Sequence, residues 1–291
     1  MIVPFSPGGP NDIIGRTVGQ KLGETWGQPI VVENRGGAGG TIGVDAGAKS
    51  PPDGYTVIMG GSSNLAVAPS LYPKLPYDPL SDLAPISNVA FVPYVVAVNP
   101  RVPAKSMKDL IAIGRSKPGF LSYGSSGAGS MSSLAAELIN SSGGTKMVHV
   151  PYKGTAPAIT GMVSGEIDLM VADLSAVVGH AKAGKLRMIA AAGSKRAAAA
   201  PELPTVGESG LKGYAVDAWF GIVVPGKTPT DIVAKLSSGV MAAVKSPEVR
   251  GRFEQLGYDP VGNTSAEFAA QIRADIAKFA KIIKAAGIKI N

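Results

Sequence analysis

The feature that most constrains this chain is a repeated unit: a short apolar segment, a loop rich in Gly and Ser, then apolar residues every three or four positions. Ile2 to Phe5, the loop Ser6-Pro7-Gly8-Gly9-Pro10, and the series Ile14, Val18, Leu22 and Trp26 form its first copy. A strand followed by an amphipathic helix buries both apolar faces when helices cover a sheet. The pattern recurs through 291 residues, a length that suits about two domains. The expected class is therefore α/β, with largely parallel sheets. The 38 glycines and 23 prolines are about a fifth of the chain and follow no collagen-like period, which fits many tight connections between short elements.

Ile30 to Glu33 reads as the second strand, closing on Arg35-Gly36-Gly37-Ala38-Gly39-Gly40. Tyr55 to Met59 reads as the third, followed by a small-residue loop from Gly60 to Asn64. Further strands are expected at Phe120 to Tyr123, Met147 to Val150, Ile167 to Val171 and Leu186 to Ala190. Helices carrying Met131, Leu134 and Leu138, and then Ile159, Met162 and Val163, alternate with them. Ser106 with Asp109, and Thr264 with Glu267, read as capping boxes, and Ser246-Pro247 as a helix start. The last helix aligns Phe268, Ile272, Ile276, Phe279 and Ile283 on one stripe, which predicts docking on a core. Two extended apolar segments, Tyr94 to Val98 and Ala218 to Val224, stand where the repeat changes. They read as paired crossover strands between two lobes, the second inserted in the first, and such hinges absorb backbone rotation at a few residues. The expected lobes are residues 1–96 with 221–291, and residues 97–220.

Composition narrows the chemistry. The absence of Cys excludes a disulfide scaffold, a thiolate metal site and a Cys nucleophile. With His149 and His180 the only histidines, neither a metal site nor a cofactor is expected. Net charge is +7, from 28 basic and 21 acidic residues. The densest basic cluster, Lys278, Lys281 and Lys284, reads as a solvated helix face, so no nucleic-acid partner is expected. The charge gives anionic small molecules a weak long-range attraction. No apolar run approaches the ~18 residues of a bilayer span, and no charged segment followed by an apolar stretch opens the chain. It is expected not to span a membrane, and nothing demands more than a monomer.

Four loops share one physical character: Ser6 to Asp12, Ser62 to Asn64, Ser125 to Ser130, and Tyr152 to Thr155. Each follows a strand and leads into a helix, presenting backbone N–H groups and a positive helix end to an anion. In an open α/β sheet such loops converge outside the carboxyl ends of the strands, where ligands bind. One loop of this kind can be merely a tight turn; four across both lobes point to a shared site. The candidate ligand-binding residues are Phe5, Ser6, Gly8, Gly9 and Asp12, then Ser62 and Ser63, then Ser125, Ser126, Gly127 and Ser130, then Tyr152, Lys153 and Gly154, and Asp173. Lys153 either pairs with a carboxylate or covers the surface, and Tyr152 either lines a pocket or packs at a strand end. Asp12 caps its helix, or accepts from an amine or bound water. Trp219 and Phe220 read as core rather than a ligand stack.

Enzyme motifs fail on inspection. Gly37 to Gly43 approaches a dinucleotide fingerprint, but its third glycine comes one residue late. Gly179 to Leu186 has the spacing of a phosphate-binding loop with Leu186 where Ser or Thr is required. Ser126 lacks the second glycine of a nucleophile elbow, since Ala128 stands there. His149 reads as a packed, hydrogen-bonded histidine, and Glu166 with Asp168 is not taken as a glycosidase-like carboxylate pair. No set of nucleophile, base and orienting group emerges, so catalytic residues are not assigned and the chain is not expected to be an enzyme.

Taken in order, the motifs resemble the tripartite tricarboxylate receptor family, the TctC-like or Bug periplasmic solute-binding proteins. The likeness rests on Ile2-Val3-Pro4-Phe5-Ser6-Pro7-Gly8-Gly9-Pro10-Asn11-Asp12, Val32-Glu33-Asn34-Arg35 with Gly39-Gly40, and Pro52-Asp53-Gly54-Tyr55. It continues through Tyr123-Gly124-Ser125-Ser126-Gly127-Ala128-Gly129-Ser130, Val148-His149-Val150-Pro151-Tyr152-Lys153-Gly154, Ala183-Gly184-Lys185-Leu186-Arg187, Leu203-Pro204-Thr205-Val206 and Trp219-Phe220-Gly221. The resemblance implies a two-lobed Venus-flytrap fold of the periplasmic-binding-protein type (type II-like), with two crossover hinge strands and no catalysis. It implies an organic-acid ligand, an aromatic carboxylate or a C4–C6 dicarboxylate, held by loop amides and hydroxyls of both lobes. It also implies delivery to the membrane permease subunits of a tripartite tricarboxylate transporter, and a periplasmic location. A sensing role, with the closed form presented to a sensor kinase, is the alternative; a serine hydrolase working in the Ser125 to Ser133 region is a third. The family usually has His where this chain has Ser133, and Phe-Asp at Val171-Ala172, one position before Asp173. Family members also carry a signal peptide and a few residues before the first strand, so the chain reads as a mature form or a truncated reading frame.

Overall fold

A computed structural model describes residues 1–288. The first lobe opens with β1 (Ile2–Val3), α1 (Pro10–Trp26), β2 (Glu33–Asn34), α2 (Thr41–Ala48), β3 (Ile58–Gly61), α3 (Ala68–Leu71) and β4 (Leu83–Val92). The second lobe then runs through β5 (Tyr94–Val98), α4 (Met107–Ser116), β6 (Ser122–Ser125), α5 (Met131–Gly143), β7 (Val148–Pro151), α6 (Thr155–Ser164), β8 (Leu169–Asp173), α7 (Leu174–Lys182) and β9 (Arg187–Ala191). The chain returns to the first lobe with β10 (Ala218–Pro225), α8 (Thr230–Lys245), α9 (Pro247–Gln255), β11 (Asp259–Pro260) and α10 (Ser265–Ala286). One sheet has the order β11-β4-β10-β3-β1-β2 and the other β7-β6-β8-β5-β9. This is the two-lobed α/β fold of periplasmic binding proteins.

The sheets are mixed rather than largely parallel. β1 pairs in parallel with β2 and β3, and β6 with β7 and β8, as the strand–helix repeat requires. The strands that carry the chain between lobes run the other way: β10 is antiparallel to β3 and β4, and β5 to β8 and β9. β4 and β5 are one extended run broken at Pro93, which has no N–H to continue a ladder. The chain changes sheet there and again at Asp217: Val216 N donates to Ala192 O of the second lobe, while Ala218 pairs with Val92 of the first. We place the lobe boundaries at these two residues; cuts after residues 96 and 220 fall inside β5 and β10. Tyr94–Val98 and Ala218–Val224 do not pair with each other, because each belongs to a different sheet.

Alternation along β5 and β8 puts helices on both faces of the second sheet. Val96, Val98, Leu169 and Val171 pack into one apolar layer, and Val95, Ala97, Met170 and Ala172 into another. On α10, Phe268, Ile272, Phe279 and Ile283 are buried, Ile276 is half-buried, and Lys278, Lys281 and Lys284 are exposed. Its N-terminus carries the full box of Thr264 and Glu267. At its other end Ser141 Oγ, in α5, donates to Ala286 O at 3.3 Å, tying the last helix to the second lobe. Gly60 to Asn64 is not a loop. Gly60 and Gly61 lie in β3, where any Cβ would meet the Leu65 side chain and the Phe220 ring, and a π-helical turn, Ser63–Val67, follows at once.

Candidate ligand-binding cleft

The lobes enclose a cavity of about 10 Å³. The first lobe lines it with Phe5, Gly9, Pro10, Asn11, Ser62, Ser63 and Phe220, and the second with Tyr94, Ser126, Met131 and Thr155. Space on that scale holds about one water, so the lobes are closed on each other and a metabolite enters only when they part.

Four helix starts surround the cavity. α1 begins after Gly9, α6 after Gly154, and the helical run after Ser62, none with a side-chain cap; α5 begins after Ser130, whose Oγ accepts from Ser133 N. First-turn amides have no intrahelical partner, and side-chain caps ordinarily meet part of that need. Where caps are missing, the oxygens of an anion can take their place. The Asn64 side chain is fully buried and its Nδ2 has no hydrogen-bond partner, although its Oδ1 accepts from Gly61 N at 2.9 Å. Ser6 Oγ is likewise buried and unpartnered.

The turn before α1 is fixed from behind by Asp12. Its Oδ2 accepts from Gly8 N at 3.0 Å, and its Oδ1 from Arg16 Nε and Asn34 Nδ2, both at 2.9 Å. Burial would raise the Asp12 pKa, but the hydrogen bonds from Arg16, Gly8 and Asn34, with the Arg16 charge, outweigh it and hold the carboxyl below its ordinary range. Asp12 thus shapes the turn, and its oxygens are occupied by the protein itself.

The turn before α5 is fixed by hydroxyls. Ser132 Oγ accepts from Ser126 N at 2.9 Å and lies 3.1 Å from Ser126 Oγ and 2.9 Å from Ser130 Oγ. Ser125 Oγ accepts from Gly127 N at 3.2 Å and stands 2.7 Å from His149 Nε2. His149 stacks on Tyr123, with ring centroids 4.7 Å apart. Burial lowers the His149 pKa, against an opposing pull from Glu137. Ser125 itself is fully buried. The pair is a structural brace for the turn.

Glycines let these turns meet across the cleft. Gly39, at φ +62°, lies so close to the second lobe that a Cβ would stand 2.7 Å from Ala128 O and 3.0 Å from Gly129 C. The stretch with near-dinucleotide spacing is therefore an inter-lobe contact. Gly154 packs against Ser6 in the same way. Tyr72 Oη lies 2.8 Å from Ala38 O and 2.9 Å from Ala128 O, one carbonyl from each lobe; its single proton serves one at a time. Farther back, Tyr258 Oη of the first lobe donates to Ser175 Oγ of the second at 2.7 Å, and Ser175 Oγ donates to Asp173 Oδ1 at 2.7 Å.

Phe5, Gly9, Ser62, Ser63 and Ser126 thus reach the cavity wall, and Ser6, Gly127 and Gly154 meet the opposite lobe. Gly8, Asp12, Ser125 and Ser130 support the turns from behind. Tyr152 turns away: its hydroxyl lies by Gly161 and Glu166, and burial together with that carboxylate raises its pKa. Lys153 is exposed and off the wall. Asp173 is 1% exposed and caps α7 through Ala176 N, with its Oδ2 unpartnered and its pKa pushed up by burial. Tyr94, Met131 and Phe220 line the wall without having been expected there. Each reads locally as core or helix face, and only the position of Tyr94 and Phe220 beside the sheet changes hinted at more.

Two lobes closed over a cavity ringed by helix starts define a solute-binding protein. The sequence profile of the tripartite tricarboxylate transporter family receptors (TctC) matches residues 14–288, and the chain belongs to that family. It is 36% identical to Protein BugT of Bordetella pertussis over 292 residues, covering 100% of this chain and 90% of BugT. Among solved structures it is similar to R. palustris Rpa4515 with adipate, at TM-score 0.95 and 35% identity, with 99% and 96% of the two chains covered. It is also similar to MatC (Rpa3494) from Rhodopseudomonas palustris with bound malate, at TM-score 0.93 and 32% identity, with 97% of each chain covered. The family is one of periplasmic solute-binding proteins rather than enzymes, and its members take small carboxylates.

Proposed function

We propose that this chain is a periplasmic receptor that traps a small carboxylate between its lobes and hands it to the membrane permease subunits of a tripartite tricarboxylate transporter. The observation that carries the reading is the ring of helix starts from both lobes, three of them without side-chain caps, around a cavity that no charged side chain lines among the described residues. A carboxylate accepting several amide hydrogen bonds gains roughly 1.5–3 kcal/mol from each. Because the donors sit on opposite lobes, the full set is available only in the closed form, so the ligand selects closure. The adipate and malate held by the two solved relatives support the ligand class, here taken as an aromatic acid or a C4–C6 diacid. A thermal-shift panel of organic acids tests the reading. An acid at 100 times its Kd should add about 2.7 kcal/mol of stability; a panel without any stabilising acid contradicts it. Delivery is tested by uptake of the stabilising acid in cells with and without the permease subunits.

A further inference from the structure

We infer that Asp173 is a proton-operated closure device: the lobes meet over its neutral carboxylic acid and part when that acid ionises. Asp173 ends β8 directly opposite Tyr94, and Leu174 N donates to Pro93 O at 2.9 Å, so the carboxyl stands beside the residue where the chain changes lobes. Its cover comes from the first lobe. The turn carrying Gly257 and Tyr258 lies so close to the second lobe that a Cβ on Gly257 would stand 2.9 Å from Ala199 Cβ. The buried Tyr258 donates to Ser175 Oγ at 2.7 Å, and Ser175 Oγ donates to Asp173 Oδ1 at 2.7 Å. The lobes are thus joined by hydrogen bonds that end on a carboxyl group.

The two oxygens of that carboxyl differ. Oδ1 accepts from Ser175 Oγ and, at 2.9 Å, from Ala176 N in the first turn of α7, which suits a negative charge. Oδ2 is buried and has no hydrogen-bond partner. The groups facing the carboxyl supply no counter-charge. Tyr94 on β5 and Tyr258 before β11 are phenols whose own ionisation is pushed up by burial and by Asp173. Arg252 on α9 acts on Tyr258 and makes no ion pair with Asp173. A carboxylate kept from water without a counter-charge is disfavoured, and burial outweighs the Ser175 and Ala176 hydrogen bonds, raising the Asp173 pKa. Parting the lobes carries Tyr258 away and lets water reach the group, which returns the pKa toward its ordinary value. With the closed value the higher of the two, closure takes up a proton. Closure is therefore most favoured below the open-form value and loses ground as pH rises from there to the closed-form value. Because the closed cavity holds about one water, the proton sets how much of the receptor stands open to a ligand.

The test is small-angle scattering of the ligand-free full chain from mildly acidic to mildly alkaline buffer. With no ligand present, the outcome is separate from the carboxylate reading. The wild type should widen as pH rises, its open-to-closed ratio moving by up to about tenfold per pH unit between the two values. Asp173→Asn keeps a helix cap and cannot ionise, so it should hold one lobe separation throughout. The difference between the two proteins removes the titration of His149, which both share. In the wild type the carboxyl carbon resonance of Asp173 should titrate above the ordinary carboxylate range, with the same midpoint as the scattering change, a readout that does not require the variant to fold. A wild type of constant width, a variant that widens as the wild type does, or an Asp173 resonance titrating in the ordinary range overturns the proposal.

Discussion

In the first lobe the turn before α1 is held from behind by a carboxylate, Asp12; in the second lobe the turn before α5 is held by the hydroxyls of Ser125, Ser130 and Ser132. Both arrangements set a helix start beside the same cavity, and neither puts a charge on its wall. The difference lies behind the turns. A charge-assisted brace is stronger per bond and depends on pH, whereas the hydroxyls spread smaller contributions over more residues and do not themselves titrate, His149 behind Ser125 being their titrating neighbour. The front of each turn is set by the ligand, while the back is free to use either chemistry.

The largest effect should come from the contact that joins the two turns. Gly39→Ala adds a Cβ against the backbone of Ala128 and Gly129, which cannot rotate aside, and asks an L-residue to hold φ +62°. The left-handed cost alone is about 1–2 kcal/mol, and with closure obstructed ligand affinity should fall by roughly a hundredfold or more. Small-angle scattering should show a wider separation of lobes that ligand fails to close. A variant that closes with unchanged affinity would show that the glycine contact does not govern closure.

Next in size is Asp12→Ala, which removes the acceptor of Gly8 N and one of the two acceptors of Asn34 Nδ2, the other being Phe5 O, and should cost about 2–3 kcal/mol in denaturant unfolding. The Arg16 side chain is half exposed, so its ion pair adds little to that figure. The pH dependence has a definite sign. Because the folded pKa of Asp12 is lowered, its contribution is fully present above the unfolded carboxylate range and is lost as pH falls through the folded value. Wild type should therefore lose stability relative to Asp12→Asn on acidification, and a gap that stayed constant would contradict the brace. The smallest effect should be Ser132→Ala, at about 1–2 kcal/mol, with a gap to wild type that is flat over the same acid range. A steep acid dependence there would erase the contrast between the two turns.

The turns themselves were legible because Gly and Ser before a four-residue apolar period have few other uses, and the family motifs covered the same segments. The wall was only partly legible. Phe5 and Ser126 sit inside those turns, but Phe220 lies in an apolar strand whose pattern equally describes core, and it reaches the cavity only because β10 passes beside the sheet change. Lys153 and Tyr152 carry functional groups that attract attention in a sequence, yet the bend at Gly154 sends Lys153 to solvent and Tyr152 into the body of its lobe. Polar Ser87 and Asn88 hid β4, whose shifts in register opposite Gly221 and Val223 leave no clean alternation to read. Asp12 could be read as a cap, but that its oxygens serve Gly8, Arg16 and Asn34 depends on Asn34 arriving from β2, which no local pattern states.

The most direct measurement is a titration of isotope-labelled protein with benzoate, followed through backbone amide resonances. Amides at Asn11 and Ser63 of the first lobe and at Ser126 and Thr155 of the second should shift together, with one midpoint. Shifts confined to one lobe, or centred on the exposed Lys153 surface, would mean that the acid is not held between facing helix starts.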